Sequence, residues 1–528
     1  MNVKLIKNKK VLFILLVLII LCGVILRFFI IRHDIAGDEA VFGLMAKHIM
    51  EGREYPLYMW EAHYSGTLSA YIIAISFKIF GVSSFSYKIA GLLLFIPYII
   101  FIYMLAKKIF DSNVGLLSTL FVAVSPVFVS IYLATILGVY IEGLICGTII
   151  LLLCCYIVSS EINLSIFMLL GFVSGLGLWL SPHVVPFFIT ALIVIVLKFK
   201  KDIFSKYTIL LLIFFIVGYL PAIIYNFYHP TSSFYHFAGR VLELNRSVLL
   251  APDFNRIVFS KIIWRISTVP GSLINMYTLI LPLIGLQKYI TNSFIIWSLI
   301  IIIYLSSFVY IIYLRKKLLS SKVLPLDVLF IFVIIFVLFY CFFVGEFRSR
   351  YLLPLSIVLP IILSVLFLNI KKISNMLFYV LLVFVLSVNF AGVLNNIKLK
   401  SISYDNLVSF LEENKLLYGY SEYFTSYPIV FKSSEKIIVS PCAVDSISER
   451  YPLYTNAVHS ASDIFYVFNL NTHPQVIALI EQRLKILNIS YKRKYIYPFI
   501  VYYKFSRIIS PNELKLELKS PCSGIITD

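Results

Sequence analysis

The chain has 528 residues, of which 60% are hydrophobic and only 13% charged, and its mean hydropathy is +0.95. Ordinary soluble domains carry roughly 25% charged residues, so a soluble globule is excluded. Lys and Arg outnumber Asp and Glu by 45 to 26, a formal net charge of +19, but much of the surplus lies in short runs between apolar segments, the pattern of membrane topology and not of nucleic-acid binding.

The N-terminus, Met1–Lys10, is basic and leads into an apolar run from Val11 to Ile31, about 21 residues and enough to cross roughly 30 Å of hydrocarbon. No small-residue cleavage site precedes Arg32, so this run is expected to stay as a first span. Further apolar runs follow at about 85–106, 114–131, 139–159, 163–180, 182–198, 207–227, 293–314, 326–345, 351–370 and 374–394, about eleven spans in all. Lys107 and Lys108, then Lys198, Lys200 and Lys201, then Arg315, Lys316 and Lys317, then Lys371 and Lys372 fall in loops on the side of the N-terminus. The positive-inside rule puts that side in the cytoplasm.

Gly66–Phe80 and Ser272–Leu286 are also apolar, but about 15 residues reach only about 22 Å as a helix. Both are expected to lie at the outer interface. The odd number of spans then sends three segments outward: a first loop, 32–84, a second large loop, 228–292, and the residues after 397. The fold expected is an α-helical polytopic membrane domain over 1–397, about eleven transmembrane helices plus interfacial helices, followed by a small extracytoplasmic α/β domain over 398–528. That last region turns polar and charged, with helical patterns near Asp405–Leu417 and Pro474–Leu487 and strand-like runs at Asp463–Phe468 and Tyr495–Tyr503. Of the seven cysteines, Cys22, Cys146, Cys154, Cys155 and Cys341 sit in apolar runs as small packed hydrophobes. Cys442 and Cys522 fall in the polar C-terminal region, where a disulfide between them is one possibility.

Leaving the first span, the chain reads Arg32-His33-Asp34-Ile35-Ala36-Gly37-Asp38-Glu39-Ala40 and enters a helix-like run to Met50. Asp at a helix N-cap with Glu in the first turn is ordinary capping, worth about 1 kcal/mol. At a membrane boundary, however, a carboxylate pair meets a desolvation cost and more often serves a function. A positioned carboxylate there takes the proton from an attacking hydroxyl or amine, while its neighbour orients the acceptor or a bound cation.

Gly37-Asp38-Glu39-Ala40, then Tyr55-Pro56-Leu57-Tyr58, then His63-Tyr64-Ser65-Gly66-Thr67-Leu68 entering a stretch that ends Ile79-Phe80-Gly81, resembles the first outer loop of GT-C glycosyltransferases. The similarity is to protein O-mannosyltransferase-like and lipid A aminoarabinose transferase-like enzymes. Phe347-Arg348-Ser349-Arg350-Tyr351-Leu352-Leu353-Pro354-Leu355 looks like the Arg-Tyr-Leu-Leu-Pro element that opens a late span in many bacterial members. The resemblance implies a polyprenyl-phosphate sugar donor, an inverting transfer to a cell-envelope acceptor, Asp38 as base and Glu39 in support.

A departing phosphate needs cations at the same boundary. Arg348 and Arg350 stand there, Arg350 the preferred of the two; the alternative is that they anchor the span by snorkelling to headgroups. His183, at the turn after Ser181-Pro182, is expected to face outward, either contacting phosphate or capping the turn. His63, Tyr64 and Tyr351 are candidates for the acceptor or sugar site. Arg240, Arg246, Arg256, Lys261 and Arg265 in the second loop are read as headgroup or solvent contacts. Tyr420-Ser421-Glu422-Tyr423, Ser426-Tyr427 and Arg450-Tyr451-Pro452-Leu453-Tyr454 receive no chemistry. No His/Cys cluster has zinc-like spacing; Asp38 and Glu39 are suited to a divalent ion, but no cofactor is expected.

The competing readings are a transporter or flippase of lipid-linked sugars and a non-catalytic scaffold. A transporter places ionisable residues near the midplane, often in paired halves. Here the charges cluster at the outer boundary, no half-to-half similarity is evident, and Glu142 is the main acid within a span's first turn.

Overall fold

The structure, a computed structural model, describes residues 8–31, 34–35, 37–136, 138–159, 163–200, 206–229, 267–273, 275–276, 278–286, 294–317, 323–343, 348–398, 403–442, 449–472, 474–514 and 516. In chain order it runs α1 (Lys9–Ile30), α2 (Asp38–Met50), β1 (Tyr58–Met59), β2 (Ala62–Gly66), α3 (Leu68–Phe80), α4 (Ser84–Ile109), α5 (Ser112–Ala123), α6 (Val127–Ala134), α7 (Tyr140–Val158), α8 (Leu164–Leu180), α9 (Val185–Phe199) and α10 (Lys206–Tyr228). It continues with α11 (Phe294–Lys317), α12 (Pro325–Phe343), α13 (Leu355–Ile373), α14 (Asn375–Lys398), α15 (Asp405–Glu413), β3 (Tyr418–Ser421), α16 (Tyr423–Lys432), β4 (Ile438–Pro441), α17 (Pro452–His459), β5 (Phe465–Asn469), α18 (Pro474–Ile486), β6 (Lys492–Ile496) and β7 (Phe499–Tyr503). The chain forms two compact units, one of residues 1–31, 64–66 and 91–399, the other of 32–63, 67–90 and 400–528. The second unit thus gathers most of the first expected loop together with the C-terminal residues.

The first unit is helical because hydrocarbon supplies no partner for a backbone N–H or C=O, and a helix satisfies both within itself. Among the described residues ten helices are long and apolar enough to cross a membrane, and eleven if the bent pair α5–α6 counts as one span. The chain is a multi-pass membrane protein. The expected span at 163–180 forms α8, which has 17 residues. Most of Ser272–Leu286, assigned to the interface on its sequence, falls within Ser267–Ile284, which has 18 residues and passes the same test of length and composition.

One expected span departs from a straight helix: 114–131 is broken at Val124-Ser125-Pro126 into α5 and α6, bent by 88°. Proline lacks an N–H, and the break strips the last carbonyls of α5 of their helical partners. Each such carbonyl left unpaired in a dry interior costs about 1–3 kcal/mol. Here they are met from other helices. Arg27 of α1, fully buried, donates Nη2 to Val122 O at 2.8 Å and Nη1 to Ala123 O at 2.9 Å, and Asn389 of α14 donates Nδ2 to Val124 O at 2.9 Å.

Helices α8 and α10 meet backbone to backbone. A Cβ added at Gly171, Gly175 or Gly218 would lie 2.2 Å from Leu211 O, 2.1 Å from Phe215 O and 2.1 Å from Phe172 O respectively. Gly171 and Gly175 are spaced as a small-xxx-small face, which lets membrane helices approach closely enough for dispersion to hold them. Elsewhere Phe121, Leu363, Phe367, Phe378 and Val385 build an apolar core between α5, α13 and α14.

In the second unit a five-stranded mixed sheet has the order β4-β3-β5-β7-β6, with β3 parallel to β4 and β5, and β7 antiparallel to β5 and β6. Central β5 is buried along its whole length and reads Phe-Tyr-Val-Phe-Asn, as a strand covered on both faces should. The expected helices appear as α15 and α18. The run Tyr495–Tyr503 is not one strand but the turn of a hairpin, since Ile496 ends β6 and Phe499 opens β7. The reason is Pro498, which has no N–H for a ladder. The stretch Gly66–Phe80 forms α3, whose 13 residues are too few to span.

Candidate active site

Two clusters of polar side chains stand out, one in each unit. The first grows from the start of α2. Gly37 occupies the cap position at φ 52°, where a Cβ would also fall 2.6 Å from the Phe424 ring, so both backbone and space call for glycine. Neither Asp38 nor Glu39 caps the helix; the cap has no side-chain bond and Asp38 is already the first helical residue. The ordinary capping explanation therefore does not apply to Asp38.

The Asp38 carboxylate instead accepts a 2.5 Å hydrogen bond from Tyr423 Oη, and Arg450 Nη2 lies 3.9 Å from the same oxygen. Its side chain is 42% exposed, so the other carboxylate positions stay open to solvent. Tyr423, the first residue of α16, is buried, and burial together with the adjacent Asp38 charge holds its phenol well above the usual 10. It therefore keeps its proton at physiological pH and donates a hydrogen bond. Arg450 is oriented by Nε to Tyr423 Oη at 3.4 Å and Nη1 to Glu61 O at 3.4 Å, while its backbone N–H donates to Tyr427 Oη at 2.6 Å. Burial pushes the neighbouring Glu61 carboxyl up, partly offset by Arg450.

Glu39 faces away from that constellation into the core of the unit, where it forms a 2.5 Å ion pair with Lys88 and both groups are buried. A buried pair is costly to desolvate and costlier to break. Its carboxylate is neutralised by that lysine. Asp34 ties the same region together, accepting from Ser84 Oγ at 2.9 Å, Lys432 Nζ at 3.0 Å and the Tyr404 N–H at 3.3 Å. At the far end of α2, Glu435 accepts from Lys47, Arg53, His48 Nε2 (2.8 Å) and Tyr454 Oη (2.8 Å), and His48 Nδ1 meets Glu54 at 2.7 Å. His63 lies half-buried in β2.

The second cluster belongs to the first unit. Arg350 sits in a short 3-10 turn, Ser349–Leu352, ahead of Pro354 and α13. Its guanidinium stands 5.3 Å from the Tyr351 ring, with Nη2 3.5 Å from that residue's Oη, and is an electrostatic neighbour of Tyr132 on α6. Burial works against its charge, but the phenol oxygens of Tyr140, Tyr351 and Tyr132 outweigh it and hold Arg350 above its ordinary value. Its Nε is buried with no partner among the described residues. The His183 ring packs between Tyr140 (5.0 Å) and Tyr351 (5.6 Å), and Tyr132 packs on Tyr140 at 5.2 Å. Tyr64 is an electrostatic neighbour of Tyr140. Arg348, at the cap of the turn, is exposed.

The structure thus brings together Arg350, Tyr351, His183 and Tyr64 in one unit and places Asp38, Glu39 and His63 in the other. Sequence reasoning missed Tyr132 and Tyr140, whose signal was their place at the ends of two apolar runs, and Lys88, the one basic residue early in a run otherwise apolar. Tyr423 and Arg450 stand in aromatic stretches to which the sequence assigns no role. Arg240, Arg246, Arg256, Lys261 and Arg265 lie outside the described residues, as does Cys522 and with it any pairing to the buried Cys442. No group of three or more His, Cys, Asp or Glu among the described residues is arranged to hold a metal ion.

The chain has the GT-C fold, which it shares with two membrane enzymes of known structure. Residues 65–225 match the family described as dolichyl-phosphate-mannose-protein mannosyltransferase. The structure is similar to that of ArnT from Cupriavidus metallidurans bound to undecaprenyl phosphate, with a TM-score of 0.58 and 10% identity over 92% of this chain and 97% of that one. It is also similar to the Archaeoglobus fulgidus oligosaccharyltransferase in complex with Zn and sulfate (TM-score 0.54, 11% identity, 96% of this chain and 76% of that one). The same archaeal enzyme tethered to an acceptor peptide containing the NVT sequon gives a TM-score of 0.52 at 12% identity, over 95% and 74% of the two chains. Comparison with curated protein sequences gives no match.

Proposed function

We propose that this protein is an integral membrane glycosyltransferase that moves a sugar from a polyprenyl-phosphate carrier to a cell-envelope acceptor at the outer face of the membrane, with inversion. The observation that carries this reading is the Asp38 carboxylate at the start of α2, half exposed and held by Tyr423 Oη at 2.5 Å. The GT-C fold supports it, as does the ArnT structure, whose bound ligand is undecaprenyl phosphate. An acceptor hydroxyl or amine attacks the anomeric carbon as the bond from that carbon to the phosphate oxygen breaks. Asp38 takes the acceptor's proton, and the phosphate leaves with the electron pair.

Arg350, with the phenols of Tyr132, Tyr140 and Tyr351, stabilises the charge that grows on the departing phosphate. Arg348 and His183 are assigned to the same phosphate, and His63, Tyr64 and Tyr351 to the acceptor or the sugar. Glu39 supports Asp38 by fixing the first turn of α2 through Lys88. The reaction is assigned no resident metal. The N-terminus is placed in the cytoplasm and the second unit outside it, in line with the basic loops.

One observation favours the transporter reading: Glu142 is buried in the first turn of α7 with both carboxylate oxygens unpartnered among the described residues, and acids inside spans mark transport paths. The deciding experiment is transfer from radiolabelled polyprenyl-phosphate sugars to extracted envelope acceptors by purified protein and by Asp38→Asn. Loss of at least a hundredfold in the folded variant, the scale of a missing general base, is the expected result. Equal transfer by both proteins would remove Asp38 as base, and no transfer from any donor would favour transport.

A further inference from the structure

Arg27 presents an unusual arrangement for a membrane span. Its guanidinium is fully buried in α1, and it donates hydrogen bonds to neutral oxygens: Val122 O, Ala123 O, Ser125 Oγ at 3.1 Å and Gly23 O at 3.1 Å. Its face packs 3.7 Å over the Phe95 ring. A charge in hydrocarbon is expensive and is retained where it does work that no apolar side chain can do. That work is visible in the acceptors, which are the carbonyls set free where α5 breaks and the hydroxyl that begins the turn.

The clamp has a second jaw. Asn389 Nδ2 takes Val124 O, the next carbonyl along, and Gly285 makes room for the amide, since a Cβ there would fall 2.8 Å from Asn389 Oδ1. Ser125 Oγ passes the network on to Ser130 Oγ at 2.8 Å, one turn into α6. Arg27 and Asn389 therefore fix both the place of the break and the direction in which α6 leaves it. What α6 carries at its far end is Tyr132, which packs on Tyr140, and from Tyr140 the ring contacts run through His183 and Tyr351 to Arg350.

We infer that Arg27 and Asn389 are positioning residues for the Arg350 cluster, setting its affinity for the carrier phosphate by holding α6 at 88° to α5 so that Tyr132 packs on Tyr140 within that cluster. The inference rests on the reading of that cluster as the phosphate site. A fork of donors is needed on two successive carbonyls, so lysine with its single nitrogen is a poor substitute.

The test is binding of a polyprenyl monophosphate to the full chain in nanodiscs, measured for wild type, Arg27→Met, Arg27→Lys, Asn389→Leu, Tyr132→Phe and the double variant Arg27→Met/Tyr132→Phe. Arg27→Met and Asn389→Leu should each weaken binding about tenfold, with Arg27→Lys between Met and wild type. Tyr132→Phe should weaken binding on its own yet add nothing in the Arg27→Met background, because an arginine that acts through Tyr132 gives a non-additive cycle. Additive losses, or unchanged affinity in a folded Asn389→Leu, would overturn the positioning role while leaving the phosphate site standing. A wild-type chain that binds no polyprenyl phosphate would remove the phosphate site and the inference together. Should Arg27→Met not fold, the same cycle is run with Asn389→Leu.

Discussion

At the scale of single residues the second unit is held by charges whose state depends on pH. Burial disfavours the His48 imidazolium, but the Glu435 and Glu54 carboxylates outweigh it and raise His48 above its usual 6.5. A group raised on folding stabilises fully below its unfolded value, and that contribution fades as pH climbs through the folded one. Glu435 is shifted the other way: burial would raise it, but His48, Arg53, Lys47 and Tyr454 hold it far below 4.5. Its contribution is complete above 4.5 and is lost only as pH falls through the depressed value. Thermal unfolding followed against pH should therefore show stability falling on the alkaline side of 6.5, and His48→Gln should flatten that fall. An alkaline limb equally steep in the variant would detach His48 from it.

What the sequence disclosed at this scale was the type of a residue and its local neighbours. Asp38 stood out because two acids after an apolar run are expensive. Its partner Tyr423 did not, because it is 385 positions away and surrounded by other tyrosines that merely build the unit. Glu39 looked like Asp38's twin, yet one step along a helix turns a side chain by about 100°, and the burial that separates their roles is a tertiary fact. The pairing of Glu39 with Lys88 across 49 positions carries no local signature either.

At the scale of elements, hydrophobic run length alone recovered most spans to within a few residues, since the bilayer imposes a single length on every helix. The same measure is blind to direction. It could not show that 114–131 turns a right angle, although Ser125-Pro126 was in view, because a proline in a span kinks or breaks it according to whether other helices supply the missing bonds. Nor could it distinguish helices that touch through side chains from α8 and α10, which touch through backbone. Gly175→Leu places a side chain where the Phe215 carbonyl stands 2.1 Å from the new Cβ. The helices must separate, so the variant should be destabilised by about 1–3 kcal/mol or more, the cost of overpacking, seen as a lower unfolding temperature in detergent. Leu220→Ala, at an exposed position on α10, should change little; equal losses in both would mean that the close approach contributes nothing special.

At the scale of the whole molecule the orientation in the membrane is open to a direct check. Tyr497 is 81% exposed in the second unit, and Lys316 lies in the last turn of α11, in one of the basic runs. In a background without other reactive cysteines, Tyr497→Cys should react with an impermeant maleimide on intact cells, and Lys316→Cys only after permeabilisation. The reverse pattern would invert the topology drawn from the positive-inside rule.

The second unit is also discontinuous in sequence, built from 32–63, 67–90 and 400–528. A ribosome adds roughly 5–20 residues per second, so on the order of half a minute passes between the synthesis of Asp38 and that of Tyr423, 385 residues later. Throughout that interval α2 has left the exit tunnel with Glu435, Tyr423 and Lys432 still unmade. Any ribosome that stalls before about residue 440 releases a membrane-inserted chain whose acids at the start of α2 have no C-terminal partners. The surroundings of the Asp38 carboxylate are thus completed last, and a truncated product carries the spans without Tyr423 and Arg450 beside it.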